Sequence, residues 1–476
     1  MKVLFAAAEI APLTKVGGLA DVVGSLPAEL IKRGHDVRVI VPKYGFVDYS
    51  GHKAAPVIGE LTVLSLQEYR KIAVERIMLD GVQVYLLSSD IFKHAGFVYG
   101  ENEVEKFWVF CDAVCAALPL LGWQPDILHS HDWHTALLPL LVRRANLPCR
   151  TVLTIHNVRH QGNFDERELG KSGLGQYWYA AAGRSGQVPR NFLSQGILWA
   201  HALNTVSENF AREILTPEYG WGEQDLLYFR KNVLFGIRNG LGYEEYDPSA
   251  DALIPAKYSA ADLSGKPICK RELQKAVGWR QAPDIPLAGM VCRLDEQKGL
   301  DILIDAVQDI LHNESIQFVV LGRGVEHYEH ALKDLEGRFP RSIRCFIQYD
   351  NRTAHLIYAG SDMFMMPSRW EPGGIGQLIA MRYGTVPVVR RTGGLADTVV
   401  NFSRDLKTGS GFVFNDYSAA ALVAVLDRAE ATFKDKEAWG RAMKRIMGLD
   451  FTWWDPAAKY EALYRKALEM DLGQPL

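Results

Sequence analysis

Short apolar runs alternate with helical patterns along nearly the whole chain, and this alternation limits most strongly how it can fold. In the first half KVLFAA, DVRVIVP, VQVYLLSS, DILHSH and RTVLTIHN read as strands; in the second half IPLAGMVCR, IQFVVLGRG, IRCFIQY, DMFMMPS and VPVVRR do. Between them lie helical stretches such as DVVGSLPAELIKRG, TALLPLLVRRAN, LDILIDAVQDILHN and ALVAVLDRAEATF. Strands apolar along their length are buried on both faces, and alternation with helices predicts parallel sheets joined by right-handed crossovers. A single core stops growing at about 250–300 residues, so a chain of 476 predicts two such α/β domains. The polar, turn-rich GYEEYDPSADALIPAKYSAADLSGKP marks the passage between them. Doubly wound sheets bind ligands beyond the C-terminal ends of their strands, so a cleft between the domains is the expected site.

Composition excludes several partners. A net charge of −3 gives no basis for bulk binding to nucleic acid or to a membrane surface. No stretch is long and apolar enough to span a bilayer. The start, MKVLFAAAEIAP, reads as a buried strand rather than a leader, because Glu9 interrupts the apolar run. Six cysteines without a CxxC pair predict a reducing compartment, the cytoplasm.

One word occurs twice. KVGGLADVV contains Gly17-Gly18-Leu19-Ala20-Asp21, and RTGGLADTVV contains Gly393-Gly394-Leu395-Ala396-Asp397. Each copy follows a strand and opens a helix. Paired glycines allow a tight turn and close backbone approach, and the amides of a helix start attract anions. The word is therefore an anion site or simply a strand-to-helix turn; Lys15 tilts the first copy toward phosphate. In CRLDEQKGLD, Arg293 and Lys298 fill another strand-to-helix loop. In PSRWEPGGIGQLIAMRYG, Glu371 precedes Gly373-Gly374-Ile375-Gly376 and an apolar helix. A carboxylate beside an anion site suits a sugar hydroxyl, or it is only a helix N-terminal charge. LHSHDWHT offers His129, His131, His134 and Asp132, and TIHN adds His156 and Asn157. Alternate residues leaving a strand diverge, so these histidines do not form a convincing metal set. Cations and glycine-rich helix starts would together hold a diphosphate and stabilise it as a leaving group without a metal. A dehydrogenase is disfavoured, since no GxGxxG follows the first strand.

These motifs carry a family resemblance that runs nearly end to end. KVGGLADVVGSLP, HSHDWHT, TIHN with QGNF, TVSENFAREI, CRLDEQKGLD and MPSRWEPGGIGQLIAMRYGTVPVVRRTGGLADTV resemble, in order, the blocks of bacterial glycogen synthases and plant starch synthases, glycosyltransferase family 5. The resemblance implies the GT-B fold: two doubly wound Rossmann-like domains facing a deep cleft. It places an acceptor-side domain over 1–243, a donor-side domain over 244–455, and a last helical segment, 456–476, crossing back to the first. It implies retaining transfer of glucose from a nucleotide sugar, ADP-glucose in most bacteria, to the non-reducing end of an α-1,4-glucan, with no cofactor and no metal. Its nearest alternatives are another nucleotide-sugar donor, a short acceptor, or a glucan-binding relative without turnover. On this resemblance Lys15 and the Gly18 amide meet the diphosphate, and Arg293 and Lys298 bind its phosphates. Glu371 holds sugar hydroxyls, while Gly374, Ile375 and Gly376 offer amides to phosphate or sugar. His156 lies near the anomeric centre, where its main-chain oxygen supports oxocarbenium character. Asp21 and Asp132 contact donor or acceptor, Asn239 the donor, and Tyr349 the base. The chain departs from the family at EPGGI (Gly373, Ile375), NGLG (Gly242), GRGV (Arg323, Val325) and VRHQG (Arg159, His160), and Ile379 stands where the wider retaining motif has a second glutamate.

Overall fold

KVLFA forms strand β1 (Lys2–Ala6), which lies in the middle of its sheet. Among the described residues of the computed structural model, which are 1–100, 102–175 and 191–470, that sheet has the order β3-β4-β5-β2-β1-β6-β7-β8-β9. Its further strands are β2 (Asp36–Pro42), β3 (Ala55–Ser65), β4 (Glu68–Leu79), β5 (Val82–Ser88), β6 (Ile127–His131), β7 (Arg150–Ile155), β8 (Ala202–Thr205) and β9 (Leu234–Gly236). Phe5 on β1 lies opposite Val39 on β2 and His129 on β6, both in parallel register. The order of strands thus reverses at β1/β6, and ligands of doubly wound sheets bind beyond the strand ends at such a point.

The purely parallel reading needs one correction. β3 and β4 are antiparallel to each other, and β4 is antiparallel to β5. Their burial alternates along the strand because they close one edge of the sheet. The two-residue turn between them uses Leu66 and Gln67, both at positive φ (50° and 66°). Asn-Gly is the usual sequence signal for such a turn, and its absence hid the hairpin.

The second sheet is parallel throughout, in the order β12-β11-β10-β13-β14-β15. Its strands are β10 (Leu287–Val291), β11 (Gln317–Leu321), β12 (Ile343–Phe346), β13 (Met363–Met366), β14 (Val386–Arg390) and β15 (Phe412–Phe414). Here the order reverses between β10 and β13. The stretch expected to be only a passage also contains a helix, Gly265–Ala276, anchored by the buried Cys269, Leu273 and Gln274.

The chain divides into two units: Met1–Gly240 with everything from Trp453 onward, and Leu241–Thr452. Both changes come three residues before the expected boundaries after 243 and 455. Side chains explain the shift. Gly240 lies against the Trp453 ring, where a Cβ would come within 2.6 Å of it, so both belong to the first unit. The Tyr243 hydroxyl donates to the Leu449 carbonyl at 3.2 Å inside the second.

The last helix, Trp454–Glu469, covers one face of the first sheet; residues 471–476 of the expected C-terminal segment lie outside the described residues. Ala457, Tyr460, Leu463, Tyr464 and Ala467 are buried there with Val3, Phe5, Val39 and Val152. Two of them also satisfy buried polar groups. The Tyr464 hydroxyl lies 2.9 Å from His129 Nδ1, and the Tyr460 hydroxyl accepts from Asn204 Nδ2 at 2.9 Å. Tyr464→Phe should therefore cost about 1–3 kcal/mol, the penalty of a buried ring nitrogen left without a partner, while keeping the helix in place. Chemical denaturation with an unchanged circular-dichroism spectrum checks this; a variant as stable as the parent would show that the contact contributes nothing.

Candidate functional site

In the first unit the site residues leave the C-terminal ends of β1, β6 and β7. After β1 the chain turns back on itself: Ile10 and Thr14 exchange backbone hydrogen bonds (3.0 and 2.8 Å). Lys15, Val16, Gly17 and Gly18 then emerge exposed, and the first helix runs over Gly18–Lys32. Lys15 Nζ lies 2.6 Å from Asp21 Oδ1, so one turn of helix ties the cation to the carboxylate expected to serve the ligand. The Gly18 amide, in the first turn of that helix, has no intrahelical carbonyl to bond.

Two buried residues hold the neighbouring chain. Glu9 is 2% exposed, and its Oε2 accepts the Val16 and Gly17 N–H groups at 2.6 and 3.2 Å. Its Oε1 accepts the Tyr99 hydroxyl at 2.7 Å. Burial raises the Glu9 pKa, against the opposing pull of those hydrogen bonds. Asp132, after β6, sits at φ 56°, and its Oδ1 accepts the His156 N–H at 2.6 Å and the Asn157 N–H at 3.3 Å. Asp132 and His156 are thus brought together, with the carboxylate orienting the backbone at His156. Burial pushes the Asp132 carboxyl up to about 7. The His156 ring meets His131 instead (Nε2 to Nδ1, 3.0 Å), and burial holds its pKa down to about 3, so the imidazole is neutral near pH 7. Burial likewise lowers His129, His131 and His134. His129 is occupied by Tyr464 and Thr154, and His134 packs on Tyr99 and Phe107. Among the described residues no three His, Cys, Asp or Glu side chains are placed to hold a metal ion. Asn239 is buried, and its Oδ1 has no hydrogen-bond partner among the described residues.

In the second unit the residues again gather at the reversal point. Lys298, in the turn after β10, meets Glu371, after β13: Nζ to Oε2 is 2.7 Å, with both side chains largely buried. Ser368 Oγ donates to the same carboxylate oxygen at 3.0 Å. Arg293 is half exposed and pairs with Asp295 at 3.2 Å. Gly374 (φ 64°) turns the chain, Ile375 follows, and Gly376 starts the helix Gly376–Arg382. Tyr349 follows β12, the edge strand of the sheet. It is highly exposed and lines a shallow pocket with Arg323, Gly324, Glu326, Glu329 and His330.

The two GGLAD copies differ physically. Gly393 (φ 43°) and Gly394 are buried, and a Cβ on either would stand 1.9 Å from the carbonyl oxygen of Glu371 or Gly373. The Gly394 N–H donates to the Glu371 carbonyl at 2.9 Å. The second copy therefore supports the Glu371 loop by backbone-on-backbone packing. In the first copy Gly17 has extended backbone (φ −146°), and nothing lies nearer its would-be Cβ than Glu9 Oε1 at 4.0 Å. Reading by motif missed Glu9, which registered only as a break in the apolar run, as well as Tyr99 and Ser368. A carboxylate inside an apolar strand end was the one available signal for Glu9, because a buried charge needs partners.

Comparison with known proteins gives a consistent picture. Residues 2–228 match the starch synthase catalytic domain family, and residues 275–445 match glycosyl transferases group 1. The chain is 41% identical to glycogen synthase 1 of Geobacter metallireducens, covering 100% of this chain and 97% of the relative. It is 41% identical to glycogen synthase of Syntrophotalea carbinolica, covering 99% of each. The solved catalytic domain of starch synthase IV from Arabidopsis thaliana, bound to ADP and acarbose, is 32% identical with a TM-score of 0.90, covering 98% of this chain and 99% of that one. The two parallel-sheet domains are those of the GT-B fold.

Two predictions follow from this geometry. Gly394→Ala should lower stability by about 1–3 kcal/mol through overpacking, whereas Gly17→Ala should stay near the parent; equal thermal melts of the two variants would contradict the asymmetry. The second concerns pH. The folded pKa of His156 lies below its ordinary 6.5, so its contribution to stability is present above 6.5 and is lost as pH falls toward about 3. Asp132 runs the other way: its folded pKa is raised from 3.8 to about 7, so its contribution is present at low pH and is lost as pH rises through 7. Melts across this range should show a shallower acid decline for His156→Gln, and a relative gain for Asp132→Asn as pH rises through 7.

Proposed function

Because this chain belongs to the glycogen and starch synthase family of glycosyltransferases, we propose that it transfers glucose from ADP-glucose to the non-reducing end of an α-1,4-glucan, with retention of configuration and without a metal ion. The observation that carries this reading is the buried Lys298–Glu371 pair beside Arg293 at the reversal point of the second sheet. It sets a cation for phosphate next to a carboxylate for sugar hydroxyls, which is what a sugar diphosphate presents. The starch synthase it resembles was solved with ADP, the product such a donor would leave.

In the reaction the bond from glucose C1 to the diphosphate oxygen breaks, and its electron pair leaves with ADP. The acceptor hydroxyl bonds to C1 on the same face, and its proton passes to the departing diphosphate oxygen. Arg293 and Lys298 stabilise the charge growing on the diphosphate, and the reading also assigns Lys15 and the Gly18 amide to donor phosphate. Asp21 holds Lys15 in reserve: their ion pair must loosen for Nζ to turn to a phosphate. The Gly374–Gly376 backbone offers amides to phosphate or sugar. The His156 main-chain oxygen supports positive character at C1, in an orientation fixed by Asp132. The imidazole, neutral by burial, adds no competing charge. The reading includes Asn239 on the donor side, Asp132 toward the acceptor, and a cytoplasmic location.

A second reading, a different nucleotide donor, is favoured by one feature. Arg323 shares the Tyr349 pocket, so a cation stands where the base is expected. Assays with ADP-glucose and UDP-glucose, using glycogen as acceptor, separate the two. We expect ADP-glucose to be preferred, α-1,4 linkages by NMR, and no loss of rate on exhaustive chelation; chelation that stops turnover, with Mg²⁺ or Zn²⁺ restoring it, would overturn the metal-free mechanism. Lys15→Ala should lower donor kcat/KM roughly tenfold to a hundredfold, the loss of one charge-assisted contact.

A further inference from the structure

The chain from Lys15 to Gly18 is exposed, yet nothing packs it as the second GGLAD copy is packed. Gly393 and Gly394 are wedged against the Glu371–Gly373 backbone. Gly17 has open space about its would-be Cβ, and Val16 is 54% exposed. A buried side chain holds its Val16 and Gly17 amides. Glu9 takes the Val16 and Gly17 amides on one oxygen (2.6 and 3.2 Å) and the Tyr99 hydroxyl on the other (2.7 Å). Below it the Ile10–Thr14 backbone bonds close the turn, and beyond it Lys15 is tied to Asp21. Buried carboxylates are costly unless their lone pairs are satisfied, and here three donors do so. Tyr99 is itself seated by stacking on His134, ring centroids 5.0 Å apart.

We propose that Glu9 is a positioning residue for the nucleotide sugar: its carboxylate anchors the Thr14–Gly18 segment so that Lys15 and the Gly18 amide are held ready for a donor phosphate. The proposal rests on the donor-binding reading above. Glu9 does not touch the donor. It acts through the segment, replacing with one side chain the backbone packing that steadies the other copy. Its negative charge is spent on two amides and a phenol, so it does not repel the incoming diphosphate as a bare carboxylate would.

Four measurements on the whole chain test this. In Glu9→Ala, amide hydrogen exchange should speed up at Val16 and Gly17 while the rest of the sheet stays protected. The same variant should raise the donor KM, and the Kd for ADP, roughly tenfold with the glucan KM unchanged. Glu9→Gln, whose amide oxygen still accepts and whose NH₂ can donate to the Tyr99 oxygen, should recover to within about threefold of the parent. Combined with Lys15→Ala, the loss from Glu9→Ala should be largely absorbed, since both act through one contact. A Glu9→Ala protein that melts lower but keeps the parent's donor KM would overturn the proposal, as would multiplicative losses in the double variant. If Glu9→Ala does not fold, Glu9→Leu removes the acceptors at similar volume and is read the same way. Should the parent turn over no nucleotide sugar, the donor reading falls, and exchange at Val16 and Gly17 alone decides whether Glu9 is the anchor.

Discussion

Burial of parallel strands on both faces is the constraint from which the rest of this structure follows. β1, β6, β7, β10 and β13 lie inside their sheets, and residues such as Val3, Phe5, Leu153 and Phe364 are fully or almost fully covered. A strand in that position cannot carry exposed charge along its length, so the polar chemistry is displaced to where the chain leaves the sheet. Glu9, Asp132, His156, Lys298 and Glu371 all stand just beyond strand ends. The same pressure makes them expensive, and each is bound to a neighbour: amides for Glu9 and Asp132, a second imidazole for His156, and each other for Lys298 and Glu371. The candidate residues of each unit are in this sense polar groups that its apolar sheet could not contain.

The repeated GGLAD shows how one local word serves two ends. Both copies make a strand-to-helix turn, and sequence alone cannot separate them. Their surroundings do. The second is walled in by the loop that carries Glu371, and its glycines are required because backbone touches backbone there. The first is open, and what glycine supplies is absence: no side chain covers the helix start. Glycine in the second copy is a packing element, and in the first it is a clearing.

Much of this was legible beforehand. The apolar runs became strands at nearly the positions expected, since period and length leave little choice for KVLFA or VPVVR. The motif residues Lys15, Asp21, Arg293, Lys298 and Glu371 fall at the two reversal points, where a doubly wound sheet collects ligand contacts. The edge hairpin stayed hidden because Leu66 and Gln67 carry no turn signature although both adopt positive φ. Glu9 and Tyr99 stayed hidden for another reason. Their roles depend on partners distant in sequence (Tyr99 is 90 positions from Glu9), and no local pattern encodes such a meeting. The histidines invited a metal because spacing alone cannot tell a ligand from a ring engaged by Tyr464 or by another histidine.

The return of the last helix to the first sheet also bears on how the protein is made. Val3, Phe5 and Val39 are synthesised long before the side chains that close over their face, Tyr460, Leu463 and Tyr464. Everything from Leu241 to Thr452 must be synthesised in between. At translation rates of about 5–20 residues per second, that leaves the part of the face not covered by the first helix open for roughly ten seconds or more. The second unit can complete its own core while it is still attached to an unfinished first one. In a growing chain this face thus waits for the Trp454–Glu469 helix, which acts as the seal that closes it.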